Sequence, residues 1–197
     1  LPIFAFNDGA IIAFPLSGFS TRWFEALWET DALWQAARNS LLIAAFTAVL
    51  ATLLGVFAAR SGSMAGFRGK GVMLGFVMLP LVLPEIVIAV ALLVVIRQAL
   101  GLDLANWTVV LAHTVITVPF SIAILNGAFA SLDPSLEEAA MDLGESRWGA
   151  FRLVTLPLVA PGIVSSLLIS FIISLDDFVI AQFLTGSNPT LPVYIYG

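Results

Sequence analysis

Residues 33–59 read "LWQAARNSLLIAAFTAVLATLLGVFAA", with no charged side chain after Arg38. A helix needs roughly 20 apolar residues to cross a ~30 Å hydrocarbon layer, and this run exceeds that length. Three more runs follow, at about 71–96, 107–130 and 159–183. They are continuous rather than alternating, which selects spanning helices over barrel strands. Composition agrees: 60% of residues are hydrophobic and 11% charged, against ~25% charged in soluble domains. The chain reads as an all-α membrane protein, a multi-span helical bundle.

Several chemistries drop out early. There is no cysteine, hence no disulfide framework and no thiolate metal site. A single histidine with sparse neighbouring ligands does not make a metal centre. "GFRGKG" imitates a phosphate loop but fails its spacing, because Met64 stands where the first glycine belongs and Gly71 replaces the Ser/Thr. The net charge of −5 says little about topology, since acids barely influence it.

Residues 1–6 read as the remnant of a preceding span, and residues 7–32 as an outer loop. Within that loop "STRWFEALWE" predicts a short helix, with Trp23, Phe24, Leu27 and Trp28 at helical spacing. Such a helix either lies among lipid headgroups, where aromatics concentrate, or packs on the bundle, and the packed arrangement is the expectation. The region 33–183 holds four spans and a polar insert at 131–158. Residues 184–197 read as an outer segment before a missing last span, so both ends look like cuts. Arg60, Arg68, Lys70, Arg147 and Arg152 flank one side, and Arg22, Arg38 and Arg97 the other. The excess of basic residues puts the 60–70 linker and the insert in the cytoplasm.

The insert contains "EEAAMDLGESRWGAFRLVTLP" at 137–157. Asp133 is placed to cap a helix that Pro134 begins, and Glu137 and Glu138 fall where the helix dipole favours acids. Gly144 breaks that helix, Ser146 caps a second one carrying Trp148 and Phe151, and Leu156-Pro157 closes it. Two short helices at an angle should therefore project below the membrane. This is either a docking handle, with Ala139 and Ala140 leaving a shallow surface beside Glu138, or a solvated loop with ordinary capping acids.

The spacing of the insert resembles the EAA loop of ABC importer membrane subunits. Glu138-Ala139-Ala140, three residues, Gly144, nine residues and then Val154-Thr155-Leu156-Pro157 match E-A-A-x3-G-x9-I-x-L-P, with Val154 as the one departure. "FRGKG", "HTVITVPF" and "SLDDFVIAQFLTG…LPVYIY" are similar to the spermidine/putrescine branch of that family. The resemblance implies the type I importer permease fold in a bacterial inner membrane. It implies ATPase subunits that grip Glu137, Glu138, Ala139, Ala140, Gly144, Leu156 and Pro157, a homologous second permease, and a periplasmic substrate-binding protein. ATP and Mg would act on the partner ATPase; this chain would carry no cofactor, no catalytic residue and no metal, and would meet lipid but no nucleic acid.

Acids inside the spans form a second candidate site. A carboxylate at mid-membrane costs roughly 2.5–3.5 kcal/mol, so it usually has a function. At ~1.5 Å per residue, Glu85 lies about 21 Å above the inner surface and Asp176 about 22 Å. His113 falls at about the same level, ~9 Å below the outer surface. Asp177 adjoins Asp176, about 100° away on a helix, so the two need not face one pathway. Pro80 and Pro84 remove helical donors nearby and would free the carbonyls of Phe76 and Pro80. A layer of Glu85, Asp176, Asp177 and His113 would suit an amine-bearing cation. Each member also has a structural reading, as a helix-packing or bundle-pairing group. The alternatives are another cargo, such as an amino acid or opine, an ion-gradient transporter with these groups as a relay, and a scaffold that only docks a partner.

Overall fold

The computed structural model describes residues 2–9, 14, 16, 18–64 and 69–197. Phe67 and Arg68, which belong to the basic linker and the "FRGKG" stretch, lie outside them, as do loop positions 10–13, 15 and 17.

A 3-10 turn at Pro2–Phe6 leads through a short bridge between Asn7 and Phe19 to helix α1 (Arg22–Trp28). The expectation that α1 packs on the bundle is not met. None of its residues is buried, and Trp23, Phe24, Leu27 and Trp28 all remain exposed. A seven-residue helix joined by two residues to the next one stays off the bundle, and Trp28 stacks edge-on against Trp34 at the start of that next helix.

Three long helices make the core: α2 (Asp31–Met64), α5 (Asn106–Ala130) and α8 (Leu156–Asp176). Each of them packs on the other two. In lipid the hydrophobic effect does not drive such packing, so small residues and interhelical hydrogen bonds take over. Helix α2 buries Ala36, Ser40, Ala44, Ala48, Ala51 and Ala59 along one stripe. A Cβ on Gly55 would stand 2.8 Å from that of Ser121, and one on Gly162 would stand 2.6 Å from that of Ala128. These glycines set the closest approaches of α2 and α8 to α5. Helix α8 answers with Ser166, Ser170 and Ser174, one per turn and all buried. Ser166 pairs with Thr52 at 3.0 Å and Ser170 with Ser121 at 3.0 Å.

The second expected span is not straight. Helix α3 (Lys70–Met78), a 3-10 turn (Leu79–Leu81) and α4 (Glu85–Val94) form a pair bent by 103°. Pro84 lacks an N–H and forces Leu83 out of the α region, so the helix cannot continue. The Phe76 carbonyl is not left free, because Leu79 N–H tightens onto it. A depth computed from a straight helix therefore does not apply to Glu85.

The fourth span departs in two ways. It ends at Asp176 rather than near residue 183, because Asp177 is extended (φ −67°, ψ 121°) and the short helix α9 (Val179–Leu184) restarts after it. At the other end, Leu156-Pro157 closes nothing. Helix α7 (Arg147–Ala150) passes through a π turn (Phe151–Thr155) directly into α8, giving one rod from Arg147 to Asp176. The wider π turn gives Pro157 room where its ring would meet the Leu153 carbonyl in a regular helix.

The chain closes with α10 (Leu191–Tyr196), which packs on α2. Ser40 accepts from Leu191 N–H at 2.7 Å, and Thr108 donates to the Leu184 carbonyl at 2.8 Å. The helix between α5 and α7, α6 (Ser135–Asp142), carries the EAA residues.

Candidate functional site

Two regions gather the residues picked out from the sequence. In the insert, Asp133 accepts from Ser135 N–H at 3.0 Å and starts α6 as expected. Gly144 (φ 97°) ends it: Gly144 N–H reaches the Met141 carbonyl and Glu145 N–H the Ala140 carbonyl. These two bonds are the Schellman pattern, whose left-handed position suits glycine. Ser146 then caps α7 by accepting from Gly149 N–H at 3.0 Å.

The two adjacent glutamates of α6 differ. Glu137 takes both arms of Arg60, at 2.7 and 2.8 Å, and the Thr155 hydroxyl. The Arg60 guanidinium also lies over the Phe151 ring, 5.1 Å from its centroid. The hydrogen-bonded guanidinium holds the Glu137 carboxyl below the ordinary glutamate range; partial burial opposes this, and the Thr155 hydroxyl reinforces it. Glu138 is exposed, as are Ala139, Gly144 and Pro157, while Ala140 is half-buried. Leu143 is 87% exposed and Trp148 69%. Behind this surface, Arg60, Leu132, Glu137, Met141, Val154 and Thr155 line a cleft of 290 Å³. Arg60 escaped the sequence reading as a site residue, because it lies 77 positions from its partner and no local pattern links them.

At the end of α8 far from the insert, Glu85, Asp176 and Asp177 share the lining of a 410 Å³ cleft with Ile172, Phe178 and Val179. The bend in α3–α4 and the break after α8 bring these acids together, rather than equal rise along straight helices. Glu85 opens α4, where a carboxylate complements the dipole. Asp176 closes α8, so the last carbonyls of that helix end beside the same space. Both side chains are exposed.

Asp177 is not equivalent to Asp176. Its carboxylate is 4% exposed, and Oδ1 accepts from Ile180 N–H at 2.9 Å and Ala181 N–H at 3.1 Å, capping α9. His113, wholly buried on α5, sets Nε2 3.2 Å from the same oxygen, within ion-pair reach but off hydrogen-bond alignment. Its Nδ1 lies 2.7 Å from Ser174 Oγ. Ser174, His113 and Asp177 imitate a nucleophile–base–orienter set, yet all three residues are buried. The Ser166/Ser170/Ser174 stripe was legible as serines spaced by four in "SSLLISFIIS", but only acids and histidine were weighed.

One continuous helical rod links the capped α6 knob to the acid-lined cleft. Residues 51–196 match the family "Binding-protein-dependent transport system inner membrane component". The chain belongs to this family. It is 37% identical, over 91% of its own length and 68% of the relative's, to "Spermidine/putrescine transport system permease protein PotC" of Escherichia coli (strain K12). It is 36% identical, over 100% of its length and 72% of the relative's, to "Putrescine transport system permease protein PotI" of the same organism. In fold it is similar to a chain of a bacterial alginate ABC transporter solved with its alginate-bound periplasmic protein, at TM-score 0.69 and 20% identity, covering 88% of this chain and 69% of that one. The chain is thus a multi-pass inner-membrane permease subunit, a translocation component with the type I permease fold.

Proposed function

We propose that this permease subunit imports polyamines such as putrescine and spermidine, with ATP hydrolysed by separate ATPase subunits that grip the exposed side of α6. A second, homologous permease subunit completes the pathway, and a periplasmic binding protein delivers the cargo. The polyamine names of the two relatives support the reading, and one observation carries it: two exposed carboxylates, Glu85 and Asp176, line a single cleft where α8 ends and α4 begins.

A carboxylate facing lipid tails is costly, so this face meets water or a partner. Two carboxylates and the C-terminal carbonyls of α8 replace the hydration shell of an ammonium group, and repel an oxyanion. Closure of the ATPases on ATP moves α6 and the Gly144 hinge. Because α7, the π turn and α8 form one rod, that motion arrives at Asp176 without passing through a flexible joint. Access to the cleft then switches from the outer to the inner side. ATP and Mg act only on the partner.

The test is competition uptake in the assembled transporter, with putrescine, spermidine and basic amino acids competing for one labelled cargo. Polyamines outcompete basic amino acids if the reading is right. Preferential uptake of an amino acid or opine would keep the subunit's role and replace its cargo. Uptake that collapses with an uncoupler and ignores loss of the ATPase would replace the mechanism by an ion-gradient one.

A further inference from the structure

His113 was placed among the pathway residues by its depth, yet it has no exposed surface and touches no space a cargo could enter. Its contacts run the other way, into the break between α8 and α9. We propose that His113 is a positioning residue: by holding Asp177 against the first turn of α9, it fixes the break that leaves Asp176 facing Glu85 across the cleft. The proposal rests on the acidic cleft being the cargo site and adds the device that sets its shape.

The contacts divide the two ring nitrogens. Nε2 faces the Asp177 carboxylate, 3.2 Å from Oδ1, and Nδ1 faces the Ser174 hydroxyl, 2.7 Å away. The Asp177 oxygen accepts from two amides, those of Ile180 and Ala181, and meets His113 Nε2 at ion-pair distance. A helix broken inside a membrane must satisfy the polar groups it frees, and here one carboxylate does so for α9. Since α5 belongs to the glycine-tight core, His113 ties the break to the stiffest part of the molecule. With Asp177 extended and turned inward, its neighbour Asp176 ends α8 exposed to the cleft.

The test compares His113→Ala, His113→Gln and Ser174→Ala in the assembled transporter, reading polyamine uptake kinetics together with amide hydrogen exchange. Glutamine keeps a donor toward Asp177 and loses only the Nδ1 contact. His113→Ala should raise the half-saturation concentration by roughly tenfold or more, the scale expected when a site is displaced by about an ångström. Exchange should quicken in the peptide covering 177–184, with the α2 and α5 peptides, the amount in the membrane and ATPase activity unchanged. His113→Gln should restore both readouts, and Ser174→Ala should fall between. Should His113→Ala fail to assemble, the contrast between His113→Gln and Ser174→Ala decides.

Unchanged half-saturation and exchange in His113→Ala would overturn the proposal. So would a glutamine variant as impaired as alanine, or exchange that quickens evenly along the chain. If wild type takes up no polyamine, the cargo reading fails by itself, and local exchange at 177–184 still judges the role of His113.

Discussion

Two pairs of neighbouring acids, one at the α6 knob and one where α8 ends, are handled in the same way. At the knob, Glu137 is taken by Arg60 and Thr155 while Glu138 stands exposed. At the cleft, Asp177 is taken by α9 amides and His113 while Asp176 stands exposed. In each pair one carboxylate fixes the backbone and the other is presented outward. They differ in what surrounds them. The knob clamp is partly buried at the protein surface, where an Arg–Glu bridge stabilises modestly. The cleft pair sits where an unpaired charge is expensive, so losing a partner there should be felt far more.

The largest effect expected at either end is on coupling. Gly144→Pro cannot adopt φ 97° and loses the Schellman bonds, so uptake should fall at least ~100-fold while the chain still reaches the membrane. Full uptake in that variant would break the knob half of the comparison. Next comes the exposed acid of the cleft. Asp176→Asn should lower uptake by roughly ten- to a hundred-fold with ATPase association intact. Asp177→Asn retains an oxygen for the α9 amides and should cost less; the reverse order would exchange the roles of the two acids.

Smaller effects sharpen the knob. Arg60→Ala removes charge-assisted bonds to Glu137 and should lower the stability of the assembled permease by about 1–2 kcal/mol, seen as a drop in Tm. The sign of its pH dependence follows from the depressed Glu137 carboxyl. Stabilisation by the clamp is complete above the ordinary glutamate range and is lost as pH falls through the lowered folded value. The Tm difference between wild type and Arg60→Ala should therefore be constant from about pH 5 to 8 and shrink only in stronger acid. The smallest contrast is Glu138→Gln against Glu137→Gln: the first should weaken ATPase association in a pull-down, the second should chiefly lower Tm.

Much of this organisation was legible in the chain. Apolar run length gave the spans, and the Glu138–Pro157 spacing gave the family, because both are local patterns. Pro80 and Pro84 announced an interruption, although not a bend of 103°, which depends on what α4 packs against. Asp133, Gly144 and Ser146 acted as their residue types dictate. Long-range pairing could not be read. Arg60 finds Glu137 across 77 positions and His113 finds Ser174 across 61, distances over which no periodicity carries information. The α8 break was missed because Asp176-Asp177 lies within an unbroken apolar run, and an aspartate capping a new helix looks the same in sequence as one facing a pathway. The joined α7–α8 rod was missed for the opposite reason, since Leu-Pro normally stops a helix and here a π turn absorbs it.

The central claim is that one rod carries nucleotide-driven motion from the knob to the cleft. The chain contains no cysteine, so a single Asp176→Cys in the assembled transporter can be titrated with a membrane-impermeant thiol reagent added from outside, with and without ATP. Labelling should differ between the two nucleotide conditions, and adding Gly144→Pro should abolish that difference. Equal labelling with and without ATP, in a chain whose Gly144 is intact, would contradict the account.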